Sequence, residues 1–211
     1  GPWFNWMTAN SYEGFRMRFD IGSNKKFDKH WWYHGYLAYG FGDRKLKGKA
    51  ELFYLPRNHP RRYWHGSYTN DLDFGQNYYG EVTADNIFAL AIRKPNIPVK
   101  FLKVNEKRFE FFNEHRLGLS ELIALTHKNF TPLRNIPVKD SFPTSNGGSP
   151  LTNFEVSLRL RFAYLEKFLE ATFLRTSPYP IGEFYISRGI AGVFNSSYNY
   201  TKISGSVSDY I

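Results

Sequence analysis

There is no cysteine among the 211 residues, which excludes a disulfide scaffold and any cysteine metal site. Acidic residues are in deficit, with 19 Asp and Glu against 28 Lys and Arg, a net charge of +9 and a pI near 9.6. Such a balance fits nucleic acid, an anionic membrane surface or plain solubility. The basic residues gather at Lys25–Lys26, Arg44–Lys49 and Arg57–Arg62, in segments of turn composition. They read as loop tips beside lipid headgroups or as solvated turns. Long apolar runs are missing too: a membrane helix needs roughly 18 residues, and the longest clear run is Ile87–Ile92. A signal-peptide pattern is absent. The chain opens GPWFNWMTAN, already strand-like, and ends SVSDYI in mid-pattern. It therefore reads as a mature fragment, with Gly1-Pro2 either native or a tag scar. No nucleophile elbow is present, and Gly40-Phe41-Gly42 lacks the third glycine and the helix of a phosphate-binding loop. Asp71 and Asp73, with Glu81 and Asp85, do not have calcium-loop spacing.

What the chain does hold is aromatic rings and alternation. Aromatics make up 19% of residues, with 20 Phe, 15 Tyr and 5 Trp, yet mean hydropathy is −0.50. Many alternating strands reconcile those two values better than amphipathic helices do. Asn153–Tyr164, NFEVSLRLRFAY, is the clearest case. Phe154, Val156, Leu158, Leu160, Phe162 and Tyr164 take one face, while Glu155, Ser157, Arg159 and Arg161 take the other. This predicts a strand with one apolar and one wet side, long enough to cross a bilayer when tilted, which takes roughly 9–11 residues.

Taken in order, strands are predicted at Trp3–Ala9, Phe15–Ile21, His30–Phe41, Lys47–Leu55 and Arg62–Leu72. Asp73–Lys100 reads as a long loop with a short helix around Ala84–Ile92. Phe101–Glu114 and Leu117–Phe130 form a hairpin turning at His115-Arg116, with a helical alternative over Ser120–His127. Thr131–Thr152 is a proline-rich loop. Leu165–Thr176 reads as a tight turn at Leu165-Glu166 and a returning strand, with a helical alternative through Leu165, Phe168, Leu169 and Thr172, and Glu183–Phe194 and Tyr198–Tyr210 close the series. The expected fold is all-β: an antiparallel up-and-down transmembrane β-barrel, about ten or eleven strands of a larger barrel. Residues 1–211 read as one segment. Short turns are expected at one rim and long loops at the other.

SYEGFRMRFDIG, HGYLAYGFGDRKLKGKAELFY, SYTNDLDFG, LRLRFAYLEKFLEATFLR, PYPIGEFYISRGIAG and YNYTKISG, in that order, resemble the C-terminal barrel of an outer-membrane family of the Bacteroidota. Its members are usually described as carboxypeptidase-like regulatory-domain proteins, after a small β-sandwich that precedes the barrel. None of these motifs is catalytic; they are strand and turn signatures. The resemblance implies location in the bacterial outer membrane and a layout similar to TonB-linked receptors. It implies a non-enzymatic role in transport or in an outer-membrane assembly or secretion complex. The expected partners are outer-membrane lipid and lipopolysaccharide, and other outer-membrane or periplasmic proteins, with no nucleic acid and no cofactor. The resemblance implies that residues 1–211 are one segment of a larger barrel, without its N-terminal periplasmic domain and earlier strands, and the segment ends on Ile211 rather than an aromatic. The alternative from another class is a soluble all-β module binding glycan or nucleic acid.

Candidate residues follow from the faces. Glu155, Arg159 and Arg161 share one polar face, with Glu170 and Arg175 on neighbouring strands. Opposite charges there would neutralise one another in a lumen, because unpaired charge away from bulk water is costly. Trp31, Tyr33, Tyr39, Tyr164, Tyr198 and Tyr200 are candidates for an aromatic girdle. No metal site is expected. His30 and His34 would lie roughly 13 Å apart on a strand rising about 3.3 Å per residue, too far for one metal. His59, His65, His115 and His127 show no partner spacing.

Overall fold

In the computed structural model the described residues are 6–10, 12–24, 26–58, 60–73, 102–133, 151–169 and 174–209. Among them, period-two alternation becomes strand throughout, and no α-helix occurs. The strands are β1 (Met7–Asn10), β2 (Gly14–Gly22), β3 (Trp31–Gly40), β4 (Lys45–Asn58), β5 (Arg61–Asp73) and β6 (Leu102–Glu114). They continue as β7 (Leu119–Pro132), β8 (Leu151–Phe162), β9 (Lys167–Leu169), β10 (Leu174–Thr176), β11 (Ile181–Gly189) and β12 (Tyr200–Ser208).

Ten of these form one antiparallel sheet in the order β1-β2-β3-β4-β5-β6-β7-β8-β11-β12, a meander in which sequence neighbours pair. Local chemistry sets each reversal. Asn10 Oδ1 accepts the N–H groups of Tyr12 (3.0 Å) and Glu13 (2.7 Å), an Asx turn that delivers the chain to Gly14 at φ 64°. The β6–β7 turn relies on Gly118 at φ 84°, where a Cβ would collide with the Ala163 carbonyl. Leu55-Pro56 marks a register shift between Tyr54 and Arg57; proline cannot donate to the ladder and sits where pairing is already broken.

The sheet curls. Arg16 on β2 hydrogen-bonds Asp71 on β5 at 2.9 and 2.7 Å, although β3 and β4 lie between them. A flat sheet would hold those strands roughly 14 Å apart, at about 4.8 Å per spacing. The curl makes the face of Arg16 concave and the face of Phe15 convex. The sheet is open, since β1 and β12 each pair on one side only; the all-β antiparallel meander expected from sequence is present, and these strands do not close into a barrel.

Other expectations need correction. The returning strand anticipated at Leu165–Thr176 is instead a separate two-stranded hairpin, β9 with β10, and β8 pairs with β11. Ala163 hydrogen-bonds Gly118 across the sheet end (2.9 Å), and Leu165 at φ 55° turns the chain away from the β8 ladder. The helical alternative at Ser120–His127 is strand β7. The predicted helix at Ala84–Ile92 lies outside the described residues. Nor are the rims asymmetric. The first rim carries the connections 11–13, 41–44, 74–101, 133–150 and 190–199, and the second carries 23–30, 59–60, 115–118 and 163–180. Short and long connections occur on both.

Candidate functional site

The concave face gathers the charges. At its first-rim end Glu13, fully buried, meets Lys47 Nζ at 2.6 Å and Arg16 at 3.4 Å. Lys47 also meets Asp43 at 2.6 Å. Asn10 Nδ2 donates to Glu13 (2.6 Å), and the Tyr36 hydroxyl donates to Asp71. Five ionised groups thus sit in one knot, three carboxylates around two cations, with hydrogen bonds filling the remaining sites. That filling is the condition for burying charge at tolerable cost. Gly40 makes room, since a Cβ there would strike Asp43.

A second network crosses four strands. His34 Nδ1 lies 3.1 Å from Glu51, which also takes Lys49 Nζ at 2.7 Å. His65 Nδ1 is 2.9 Å from Glu110, and its Nε2 faces Glu51 at 3.5 Å. Arg108 closes the row on Glu110. The register explains it: His34 is the direct partner of Glu51, and His65 of Glu110, so these side chains share a face.

The predicted lumen charges divide into separate sites. Glu155 accepts from Tyr200 (2.7 Å), Ser187 (3.2 Å) and Tyr185 (3.4 Å), with Lys202 at 3.4 Å. Arg161, at the other end of β8, forms two bonds to Glu166 (2.8 and 2.7 Å) and meets Glu183 at 3.2 Å. Arg159 is exposed and has no ion pair among the described residues. Arg175 lies in β10, away from the ten-stranded sheet, and Glu170 lies outside the described residues. Glu155 and Arg161 are each paired, but not with each other.

The convex face is apolar and open. Phe19 is 60% exposed, Leu37 55% and Ile203 66%. Aromatic rings cluster toward both rims. Trp31 meets Tyr54 at 4.5 Å, Trp64 meets Phe111 at 4.4 Å and Phe27 meets Tyr33 at 5.5 Å near the second rim. Tyr164 packs there between Phe162 (6.4 Å) and Tyr179 (5.3 Å). Toward the first rim, Phe41 meets Phe15 at 5.6 Å and Tyr39 at 5.2 Å. Of the girdle candidates, Trp31, Tyr33, Tyr39 and Tyr164 belong to these clusters, and Tyr198 sits half-buried in the β11–β12 connection. Tyr200 does not. It pairs with Gly189, opposite Glu155, and its hydroxyl serves Glu155 on the concave face.

The apolar surface runs obliquely. Toward the first rim, the last apolar residue before an outward polar one is Leu46 in β4, Tyr68 in β5, Leu125 in β7 and Ile203 in β12. Followed through the register, this limit slips by roughly eight residues over the six strand-to-strand steps. That is about 4 Å along the strand per spacing of about 4.8 Å, an inclination of roughly 40°.

No family model matches this chain, and no curated protein or solved structure does. The functional reading therefore rests on the two faces. Among the described residues no group of three or more His, Cys, Asp or Glu side chains is placed to hold a metal. Sequence reasoning missed the Glu13–Lys47–Arg16–Asp71 knot and left His65 without a partner. Alternation with Phe15 and Met17 was the available signal for Arg16, and His65 carried none. Their partners depend on register and curl.

Proposed function

We propose that the chain is part of the wall of an outer-membrane β-barrel, non-enzymatic, serving transport or an outer-membrane assembly complex, with a TonB-receptor-like layout. The observation that carries this reading is the inverted polarity of the sheet: Arg16 and Glu13 are buried on the concave side while Phe19, Leu37 and Ile203 stand exposed on the convex side. In water such a face is expensive, since apolar burial contributes about 25 cal/mol per Å² and exposed patches of this extent belong to interfaces or membranes. In a bilayer the convex face meets acyl chains and the concave face borders an aqueous lumen. Two further observations support it. An apolar band inclined at roughly 40° to the hydrogen-bonding direction matches strands tilted about 35–45° in membrane barrels, and rings flank the band toward both rims as girdles do.

The test is membrane partitioning of the native full-length protein. Retention through alkaline carbonate and release by detergent is the expected result. Release by carbonate alone would overturn the reading and favour a soluble all-β binding module.

A further inference from the structure

At the tip of the β4–β5 hairpin Arg57 and Arg62 are direct cross-strand partners, and both are exposed. Like charges placed directly opposite repel and weaken a hairpin. Each guanidinium is tethered through Nε to a neutral oxygen: Arg57 to the Pro60 carbonyl (3.1 Å), Arg62 to Asn113 Oδ1 (2.9 Å). Their terminal amino groups make no hydrogen bond or ion pair among the described residues. The intervening Arg61 differs, being closed by Glu114 at 3.2 Å. The connection 23–30 lies alongside, since Leu55 N–H bonds the His30 carbonyl (2.7 Å). Its one acid, Asp28, already accepts backbone N–H groups from His30 (2.6 Å) and Trp31 (2.9 Å).

We propose that Arg57 and Arg62 form a clamp for a phosphate group, and that the phosphate belongs to a lipid headgroup. Cross-strand partners share one face, and a fork held at Nε keeps its terminal N–H donors for an oxyanion, chemistry that suits phosphate and would relieve the repulsion. The lipid source follows from position. Trp64 is the next residue after Arg62 on the same face, Tyr54 is its cross-strand partner, and Trp31 is the partner of Tyr54. Indole and phenol rings settle at headgroup depth, so residues one step beyond them reach the phosphates. This inference rests on the barrel reading.

The experiment compares the native full-length protein with its Arg57→Gln/Arg62→Gln variant, reconstituted in vesicles of phosphatidylcholine with spin-labelled phosphatidylglycerol. The native protein should enrich the anionic lipid about tenfold at its surface, in keeping with the attraction of basic groups to anionic headgroups, and the variant should lose most of that preference. Arg57→Lys/Arg62→Lys should retain part of it, because charge survives but the fork does not. Equal enrichment in native and Gln proteins would overturn the clamp. Loss of the preference on adding millimolar inorganic phosphate, at constant ionic strength, would overturn the lipid source. Carbonate release of the native protein sinks the barrel reading itself; retention without headgroup preference sinks only the clamp.

Discussion

Phe15 and Arg16 are neighbours in one strand, yet Phe15 is 44% exposed and Arg16 8%. The same reversal separates Leu46 at 62% from Lys47 at 4%. In a soluble sandwich the apolar member of each pair would be the covered one. Here curl decides burial. Side chains on the concave side converge and cover each other whatever their polarity, and those on the convex side splay apart. The concave face then has to satisfy its charges internally, and it does so in the Glu13 knot, the His34–Arg108 row and the Glu155 site. The convex face has no internal solution for its apolar surface, and its large side chains stay exposed.

The comparison can be broken from either side. The largest effect belongs to the concave face. Asp71→Ala removes the carboxylate that holds Arg16 and Tyr36 and leaves Arg16 short of charge compensation. It should destabilise by about 3–5 kcal/mol, as loss of one partner of a buried ion pair does, measured by urea titration of the reconstituted protein. A change under about 0.5 kcal/mol would mean that the knot is water-filled and contributes little. On the convex face, Leu37→Arg should cost about 2–4 kcal/mol in vesicles if the band meets lipid at mid-depth. On a surface facing water it should stay within about 0.5 kcal/mol.

Gly118→Ala tests the edge where the two faces meet. A Cβ there strikes the Ala163 carbonyl at a positive φ, so a cost of about 1–3 kcal/mol is expected and should appear first as faster amide exchange in the β6–β7 turn. The smallest effect is at Asp28, outside the strands. Backbone N–H groups of His30 and Trp31 hold its carboxyl below the usual aspartate value. A depressed carboxyl stabilises the folded state above its unfolded pKa, and that contribution is lost as pH falls through the folded value. An NMR titration should therefore find Asp28 ionising at lower pH than an aspartate in an unfolded peptide, and a midpoint at or above that reference would discard the two N–H bonds.

Legibility differed by element. Asn153–Tyr164 declared its strand and both faces through strict alternation, and β8 spans Leu151–Phe162. The reversal expected at His115-Arg116 falls in the β6–β7 connection, which runs on through Gly118, a residue that the sequence alone places in the strand. Leu165–Thr176 misled: its spacing suits a returning strand, but Ala163 and Leu165 steer the chain out of the ladder, a contact with Gly118 far away in sequence. Tyr200 misled for a related reason. An aromatic at a strand end looks like girdle, and only pairing with Gly189 turns its hydroxyl onto Glu155.

The amino-acid sequence by itself determined the all-β class, most strand limits in the meander and the face each side chain takes, because those follow from a period of two and from turn residues acting locally. Tertiary structure decided the rest. Which face is buried, which acid meets which base, and how the apolar band tilts all depend on the curl and register of the sheet. Those are set by contacts such as Arg16 with Asp71, fifty-five residues apart, and no local pattern encodes them.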